Sequence, residues 1–264
     1  MLPFPDIDPV AVQIGPLAIR WYGLSYVAGI LIGWWLLSRR ARRADAPFSP
    51  EQVGDIVFFA ALGGVLGGRI GYVLFYKFGT YVDDPLSIFA VWQGGMSFHG
   101  GVLGFVIATA WFARRAGVSF LSVTDFVVPA VPVGLFFGRL ANFINGELWG
   151  RVTDVPWGMV FPGAGPLPRH PSQIYEAVLE GLVLFALLWR YSAVPRPLGR
   201  VSGLFLLGYG AFRFAVEFVR EPDRHLGFIA FDFLTMGQVL SLPMVALGIA
   251  LISLSARPSA AVGR

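Results

Sequence analysis

The sequence predicts an all-α polytopic membrane protein with about seven transmembrane helices and a small cap on one side. Of its 264 residues, 56% are hydrophobic and 15% are aromatic, and the mean hydropathy is +0.67. Soluble domains are only about 45–50% apolar. Because no polar stretch is long enough to fold alone, we expect residues 1–264 to form a single integral membrane domain.

Seven stretches are long and apolar enough to cross a bilayer, since a crossing helix needs about 20 residues. They lie at 17–38, 53–78, 97–115, 124–144, 172–191, 200–219 and 236–255. The connection at 145–171 is rich in Gly and Pro, which is typical of a compact segment that is not helical throughout. We expect this connection to cap the outer face.

The loop arginines predict the orientation. Alternate loops hold eleven and four basic residues, and the richer set is expected on the cytoplasmic side. The N-terminus is then outside and the C-terminus in the cytoplasm, in agreement with an odd number of spans. The richer set is Arg39, Arg40, Arg42, Arg43, Arg114, Arg115, Arg190, Arg196, Arg200, Arg257 and Arg264, and the other is Arg151, Arg169, Arg220 and Arg224.

Composition excludes several classes of site. There is no cysteine, so disulfides, thiolate metal sites and cysteine nucleophiles are excluded, and any reacting thiol belongs to a substrate. No two histidines have ligand spacing, so we predict neither a metal site nor a cofactor. No basic helix or basic run with interleaved aromatics supports nucleic-acid binding. The first sixteen residues have no Lys or Arg and do not resemble a cleavable signal peptide.

Ionisable side chains interrupt six of the apolar stretches. A charge within the membrane is costly and usually faces a cavity, a partner or a substrate. With the predicted orientation nearly all of these groups lie toward the outer face, and only Glu180 lies nearer the middle. That distribution favours a site for an anionic lipid over a pore. The residues are Arg20, Arg69, His99, Arg139, Glu176 with Glu180, and Arg213 with Glu217.

The sharpest local pattern is the stretch at 138–150. Arg139 and Asn142 are three residues apart and share one helix face, and Asn145 and Glu147 follow where the helix is expected to end at Gly146. A guanidinium can hold phosphate oxygens with two parallel hydrogen bonds, and amide side chains can hold glycerol hydroxyls. The alternative is that these groups only join helices to one another.

A second pattern is a polar stripe on the sixth predicted span. At about 100° per residue, Tyr209, Arg213, Glu217 and Arg220 fall within one narrow sector of the helix. Arg213 and Glu217 are four residues apart, which is the spacing of an intrahelical ion pair. The stripe is therefore either part of a binding site or a pair that neutralises itself.

The third pattern is a histidine among glycines, at 94–101. His99 has the side chain best suited to act as a general base near neutral pH, and the glycines permit close approach of a lipid or of backbone. A structural role for a histidine in an apolar setting is the alternative. His170 and His225 lie in predicted loops and suit surface roles.

The glycine-rich run at 63–71 resembles a phosphate-binding loop only superficially. It lies inside a predicted span and lacks both the strand–turn–helix context and the Lys-Ser/Thr ending of such loops. We therefore predict that it serves close packing of helices.

Taken in order, these motifs resemble the bacterial prolipoprotein diacylglyceryl transferase family over about residues 5–255. Their order and spacing together are highly specific. They are Arg20-Trp21-Tyr22-Gly23-Leu24, Gly67-Gly68-Arg69-Ile70-Gly71-Tyr72, the 94–101 and 138–151 stretches, Arg169-His170-Pro171-Ser172-Gln173-Ile174-Tyr175-Glu176, and Tyr209-Gly210-Ala211-Phe212-Arg213.

The resemblance implies a seven-span enzyme of the bacterial inner membrane with its active site toward the periplasm. Such enzymes move the diacylglyceryl group of phosphatidylglycerol to the lipobox cysteine of a preprolipoprotein, which forms a thioether and releases glycerol phosphate. This is the first step of lipoprotein maturation. The expected partners are therefore phosphatidylglycerol, a signal peptide with its lipobox cysteine, and membrane lipids, with no nucleic acid.

Residue roles follow from that resemblance and from the three patterns. His99 is expected to take the thiol proton or only to bind the lipid, Arg213 to stabilise the leaving phosphate, and Arg139 to bind it. The expected substrate-binding residues are Arg139, Asn142, Asn145, Glu147, Gly150, Tyr22, Tyr209, Glu217, Arg220 and Arg69. Two rival classes are a lipid or anion transporter that uses Arg139 and Arg213 as a relay, and a non-catalytic membrane scaffold.

Overall fold

A computed structural model describes residues 2–15, 17–90, 94–222, 227–230 and 233–255. Arg224, His225, Arg257 and Arg264, which entered the predictions above, lie outside the described residues. Most of the described chain is helical. It divides into two compact units, the first formed by Met1–Leu36 with Asp125–Arg264 and the second by Leu37–Thr124.

The elements follow one another along the chain as follows. They are β1 Val10–Ile14, β2 Leu17–Arg20, α1 Trp21–Ala41, α2 Pro50–Phe75, α3 Phe78–Asp83, a 3-10 turn Pro85–Phe89, α4 Phe98–Arg115, α5 Phe120–Val127, α6 Val131–Ile144, α7 Ser172–Glu176, a π-helical segment Ala177–Val183, α8 Leu184–Tyr191, α9 Arg200–Val216, β3 Phe228–Ala230, β4 Leu234–Thr235 and α10 Met236–Leu254.

Four helices in the described part of the chain are long and apolar enough to cross a membrane. They are α1, α2, the continuous helix Ser172–Tyr191 and α10, and a fifth span results if α5 and α6, bent by 54°, are counted together. Both α4 and α9 are helical where spans are predicted but are not among these. The protein is thus a mostly helical membrane protein with four or five candidate spans, and the number seven stays a prediction.

The prediction of helix from residue 17 is wrong at its start. Residues Leu17–Arg20 form β2, which pairs antiparallel with β1, and α1 begins only at Trp21. The pairing satisfies the polar backbone of this stretch before the chain enters the helix. A second short hairpin, β3 with β4, precedes α10.

The first unit has its apolar core where α8 packs against α9 and the residues after α5. Leu184 and Leu188 are fully buried there, against Val128 and Val201. Asp125 fixes the start of α9, because its carboxylate accepts hydrogen bonds from the backbone N–H groups of Gly199, at 2.6 Å, and Ser202, at 2.7 Å. These N–H groups at a helix N-terminus would otherwise be unpaired.

The second unit depends on close contact between α2 and α4. A Cβ placed on Gly67 would collide with the backbone of Gly100 and Gly104, and one on Gly63 would collide with Gly104 and Ala108. Only glycine permits the two backbones to approach this closely. The prediction that the glycine run at 63–71 serves helix packing is confirmed.

Residues 145–171 belong to the first unit and contain no helix. Isolated bridges join Val152 to Arg169, Met159 to Arg169, and Gly150 to Arg220 just beyond α9. Arg151 also donates from its backbone N–H to the carbonyl of Val219, at 2.8 Å. The segment is therefore fastened to the end of α9, close to several of the predicted site residues.

Candidate active site in the first unit

Six charged side chains form one buried ion-pair network in the first unit. It joins α6, α7, the π-helical segment and the C-terminal end of α9, and we call it the arginine–glutamate network. Its carboxylates are almost wholly inaccessible to solvent, whereas Arg139 and Arg213 keep 18% and 13% of their side-chain surface exposed. The members are Arg139, Arg213, Arg220, Glu176, Glu180 and Glu217.

Glu176 is the central carboxylate of this network. Its Oε2 lies 3.1 Å from Nε of Arg139, and its Oε1 accepts a hydrogen bond from Nη1 of Arg213. Nε of Arg220 is 4.0 Å from the same Oε1. One carboxylate at the end of α7 thus orients two guanidinium groups from two other helices. A planar guanidinium held along one edge has a fixed direction for its remaining N–H groups.

Glu217 holds the opposite side of Arg213. The ion pair expected from the four-residue spacing of Arg213 and Glu217 is present, and Arg220 donates to the same Oε1 at 3.1 Å. Thr235, which caps α10, donates to Oε2 of Glu217 at 2.5 Å. Gly237 leaves room for the carboxylate, because a Cβ there would lie 2.5 Å from Cδ and Oε1 of Glu217.

Glu180 is the least satisfied carboxylate of the network. Among the described residues its one ion pair is with Nη2 of Arg139, at 3.5 Å from Oε2, and its buried Oε1 has no hydrogen-bond partner there. It lies in the π-helical segment, a conformation that is frequent at functional sites. The neighbouring Gly181 lets this segment approach α6, since a Cβ would lie 2.7 Å from Cβ of Phe136.

The network carries three positive and three negative side chains when all are ionised. Charges removed from water are tolerated only when they are paired with good geometry and further hydrogen bonds. The pairing explains how this many ionisable groups remain buried in membrane helices. It also means that the arginines present no surplus positive charge to a ligand.

The predicted headgroup residues at the end of α6 contact one another. Oε1 of Glu147 accepts from Nδ2 of Asn142, at 2.9 Å, and from Nδ2 of Asn145, at 3.2 Å. The backbone carbonyl of Glu147 accepts from Nε2 of Gln173, at 2.6 Å, and Leu148 has a left-handed backbone with φ of 59°. Such a conformation costs about 1–3 kcal/mol in a non-glycine residue and persists where the surroundings impose it.

Gly150 and the two predicted tyrosines also lie in the first unit. A Cβ on Gly150 would lie 2.6 Å from both Cβ of His170 and the carbonyl of Val219, so packing alone requires glycine there. Tyr209 interacts electrostatically with Arg139, Arg213, Glu176 and Glu180. The hydroxyl of Tyr22 is 3.2 Å from that of Tyr26, and Tyr22 interacts electrostatically with Arg139 and Glu147.

Arg69 lies in the second unit and is saturated by backbone. Its Nε donates to Ile88 at 2.7 Å, Nη1 to Gly94 at 2.6 Å and Gly95 at 3.1 Å, and Nη2 to Ser87 at 2.7 Å and Ala90 at 3.4 Å. The residue is 5% exposed. With Nε, Nη1 and Nη2 all engaged, this geometry argues against our prediction that Arg69 binds substrate and assigns it to holding residues 87–90 and 94–95.

His99 also lies in the second unit, in the first turn of α4. Ser97 caps this helix by accepting from the N–H of Gly100, at 3.2 Å. His99 is exposed, packs edge-on against Phe98, and makes no ring hydrogen bond within the described residues. An exposed imidazole of this kind is free to meet a substrate, but its role stays a prediction.

Sequence reasoning placed Glu176 and Glu180 inside a span but left both out of the expected site. Their four-residue spacing in an apolar helix was the available signal. Thr235 and Gly237 gave no such signal, because their importance depends on where α10 meets Glu217.

The described residues hold no group of three His, Cys, Asp or Glu side chains that could bind a metal ion.

The chain is similar to known proteins over nearly its whole length. The family described as prolipoprotein diacylglyceryl transferase matches residues 9–254. A protein of Nitratidesulfovibrio vulgaris strain DP4 is 60% identical over 252 residues, 96% of each chain. One of Vibrio atlanticus is 59% identical over 93% of this chain and 90% of its own, and one of Pseudomonas paraeruginosa is 58% identical over 99% and 98%. All three are named phosphatidylglycerol–prolipoprotein diacylglyceryl transferase.

Proposed function

Because the chain belongs to the prolipoprotein diacylglyceryl transferase family, we propose that it transfers the diacylglyceryl group of phosphatidylglycerol to the lipobox cysteine of preprolipoproteins. The products are a thioether-linked lipid and glycerol phosphate. The observation that carries the proposal is the orientation of Arg139 and Arg213 by Glu176 in a buried site. A phosphate that leaves within a membrane needs donors of this kind to stabilise its charge.

The chemical step is a displacement at carbon. The substrate thiolate attacks the glycerol carbon that bears the phosphate, the C–O bond breaks, and the electron pair leaves with glycerol phosphate. Arg139 contributes Nη1, which makes no hydrogen bond within the described residues, and Arg213 supports the leaving oxygens. Because the protein itself has no cysteine, the only thiol in the reaction is the substrate's.

Asn142, Asn145 and Glu147 shape the headgroup pocket in this proposal. Their present hydrogen bonds to one another hold the amides at the end of α6, and these amides can exchange partners with the glycerol hydroxyls. The same headgroup pocket is lined or oriented by four further residues, which are Tyr22, Tyr209, Glu217 and Arg220. Gly150 keeps the cap segment close to the end of α9.

The test is an assay with purified protein, labelled phosphatidylglycerol and a lipobox peptide. The wild type should release glycerol phosphate and lipidate the peptide. Arg139→Lys keeps the charge but loses the planar fork, so turnover should fall by about 100-fold or more at normal expression. Arg196→Lys, an exposed arginine stacked on Tyr191, is the matched control and should behave as wild type. Near-normal turnover of Arg139→Lys would refute the assignment.

His99 is proposed as the base that takes the thiol proton. A thiol has a pKa of about 8.5, so a base contributes roughly 10²–10⁴-fold at neutral pH. His99→Gln should therefore be nearly inactive near pH 7 and recover toward about pH 9, where the thiol ionises unaided. A variant that binds lipid poorly and is equally impaired at every pH would assign His99 to lipid binding instead.

We also propose the inner membrane as the location, with seven spans in one membrane domain, the N-terminus in the periplasm and the active site on that side. The motivation is the uneven distribution of loop arginines. Since the chain lacks cysteine, Asp83→Cys and Ala193→Cys each introduce a single thiol. In intact spheroplasts a membrane-impermeant maleimide should label position 83 and spare position 193. The reverse pattern would overturn the orientation.

A further inference from the structure

Binding of an anionic lipid changes the charge balance of the arginine–glutamate network. Its three arginines are matched by three glutamates, so an entering phosphodiester adds one negative charge to a site that is already balanced. In a buried site an uncompensated charge is costly, and an ionisable group there becomes neutral in preference to remaining unpaired. Some group must therefore change when the anion binds.

The three carboxylates differ sharply in how firmly they are held. Glu176 faces Arg139 and Arg213, and Glu217 faces Arg213, Arg220 and the hydroxyl of Thr235. Within the described residues Glu180 makes one ion pair, the 3.5 Å contact with Arg139, although it is fully buried. Its Oε1 is without a partner in the described part of the chain. Glu180 is therefore the carboxylate that loses least on becoming neutral.

On this basis we propose that Glu180 takes up one proton from solvent when the phosphate of an anionic lipid binds to Arg139. The inference rests on the proposed function, because it names the charge compensation for that lipid. The added proton cancels the added phosphate charge, and no covalent bond other than the carboxyl O–H is formed. Glu180 acts through Arg139 and is a positioning residue.

Protonation of Glu180 also changes which donors Arg139 can offer. Nε of Arg139 stays with Glu176 at 3.1 Å, whereas Nη2 is bound only to Glu180 and Nη1 to no described residue. When Glu180 is neutral, the contact with Nη2 loses its ionic attraction, so that a phosphate can draw Nη2 away and bind Nη1 and Nη2 as a parallel pair of donors. The same proton therefore balances the charge and completes the anion site.

The groups around Glu180 are those that would influence this proton. Arg139 faces it from α6, Glu176 from α7, and Arg213 and Tyr209 from α9. Arg139 and Arg213 favour the ionised carboxylate, and Glu176 favours the neutral one. Anion binding at Arg139 withdraws one of the two favourable contacts and adds a second negative neighbour. Both changes favour protonation.

Calorimetry with the full-length protein in detergent tests the proposal. Phosphatidylglycerol is titrated in two buffers that differ in ionisation enthalpy, and the difference in heat gives the number of protons taken up. The wild type should take up about one proton per lipid near neutral pH. Its apparent dissociation constant should then rise by up to about 10-fold per pH unit as the pH increases. Phosphatidylcholine, which has no net charge, should cause no proton uptake.

Two variants separate Glu180 from other carboxylates. Glu180→Gln is permanently neutral and should bind phosphatidylglycerol without proton uptake and with an affinity independent of pH. Glu221→Gln removes a half-exposed carboxylate paired with Arg169 outside the network, and it should take up a proton as wild type does. Uptake by Glu180→Gln equal to that of wild type would overturn the assignment.

The wild type alone keeps the proposal falsifiable if Glu180→Gln does not fold. Lipid-induced infrared difference spectra should show a new protonated-carboxyl band in the wild type. Binding of phosphatidylglycerol with neither proton uptake nor this band would overturn the inference and leave the proposed function intact. Failure of the wild type to bind phosphatidylglycerol or to release glycerol phosphate would overturn both.

Discussion

The buried arginines of the two units have different kinds of hydrogen-bond partner. Arg69 in the second unit is surrounded by the backbone carbonyls of Ser87, Ile88, Ala90, Gly94 and Gly95. Arg139 and Arg213 in the first unit are surrounded by carboxylates. A backbone carbonyl cannot take up a proton, and it cannot move away from an arginine unless the backbone moves. A carboxylate side chain can take up a proton, and it can also move away while the backbone stays in place.

This difference predicts different roles for the two kinds of arginine. A guanidinium that is bound at Nε, Nη1 and Nη2 by backbone carbonyls holds those stretches of chain in place and has little left to offer a ligand. A guanidinium held along one edge by a carboxylate presents its other edge in a fixed direction. The first arrangement is structural, and the second suits binding and transition-state stabilisation.

The largest effect on stability is expected from Glu176→Leu. This change leaves Arg139 and Arg213 without their shared partner in a buried site, which should lower the free energy of unfolding by about 3–5 kcal/mol. Denaturant unfolding in detergent measures the loss. Glu221→Leu breaks the half-exposed pair with Arg169 and should cost at most about 1 kcal/mol. Equal losses in the two variants would show that burial of the network has no special weight.

Arg69→Lys should be destabilising, but by less. An ammonium has three donors and no planar fork, so several carbonyls of residues 87–90 and 94–95 lose their partner, at an expected cost of about 2–3 kcal/mol. Limited proteolysis should show faster cleavage within residues 85–90. Arg139→Lys is the contrasting variant, with turnover reduced far more than stability. A variant Arg69→Lys with wild-type stability and reduced lipid affinity would return Arg69 to the binding site.

The contacts that the sequence predicts correctly are those that depend on the spacing of residues along one helix. The Arg213–Glu217 pair and the glycine packing of α2 against α4 follow from residues on one helix, and both are present. The contact of Glu176 with two other helices requires the tertiary fold. The partners of Arg69 are backbone carbonyls, which any sequence can supply. The strand at Leu17–Arg20 was missed because its residues are as apolar as the helix that follows.

Glycine substitutions should give a smaller and more local effect in the second unit. Gly67→Ala places a Cβ against the backbone of Gly100 and Gly104 and should cost about 1–3 kcal/mol of stability. Gly64→Ala, on the same helix with no atom within 4 Å of its added Cβ, is the matched control and should be neutral or slightly stabilising. Thermal unfolding compares the two. An equal loss in both would contradict packing of α2 on α4 as the reason for the glycines.

The smallest effect concerns His170, whose ring lies against a tyrosine hydroxyl. Burial lowers the pKa of His170, Asp154 opposes the shift, and the ring Nδ1 is 3.1 Å from the hydroxyl of Tyr175. The folded protein therefore binds this proton less readily than the unfolded chain, so stability is lost as the pH falls below about 6.5. His170→Gln should show a smaller fall in melting temperature between about pH 8 and about pH 5. Asp154→Asn removes the opposing charge and should make that fall larger. An unchanged difference in both variants would show that the acid sensitivity does not come from His170.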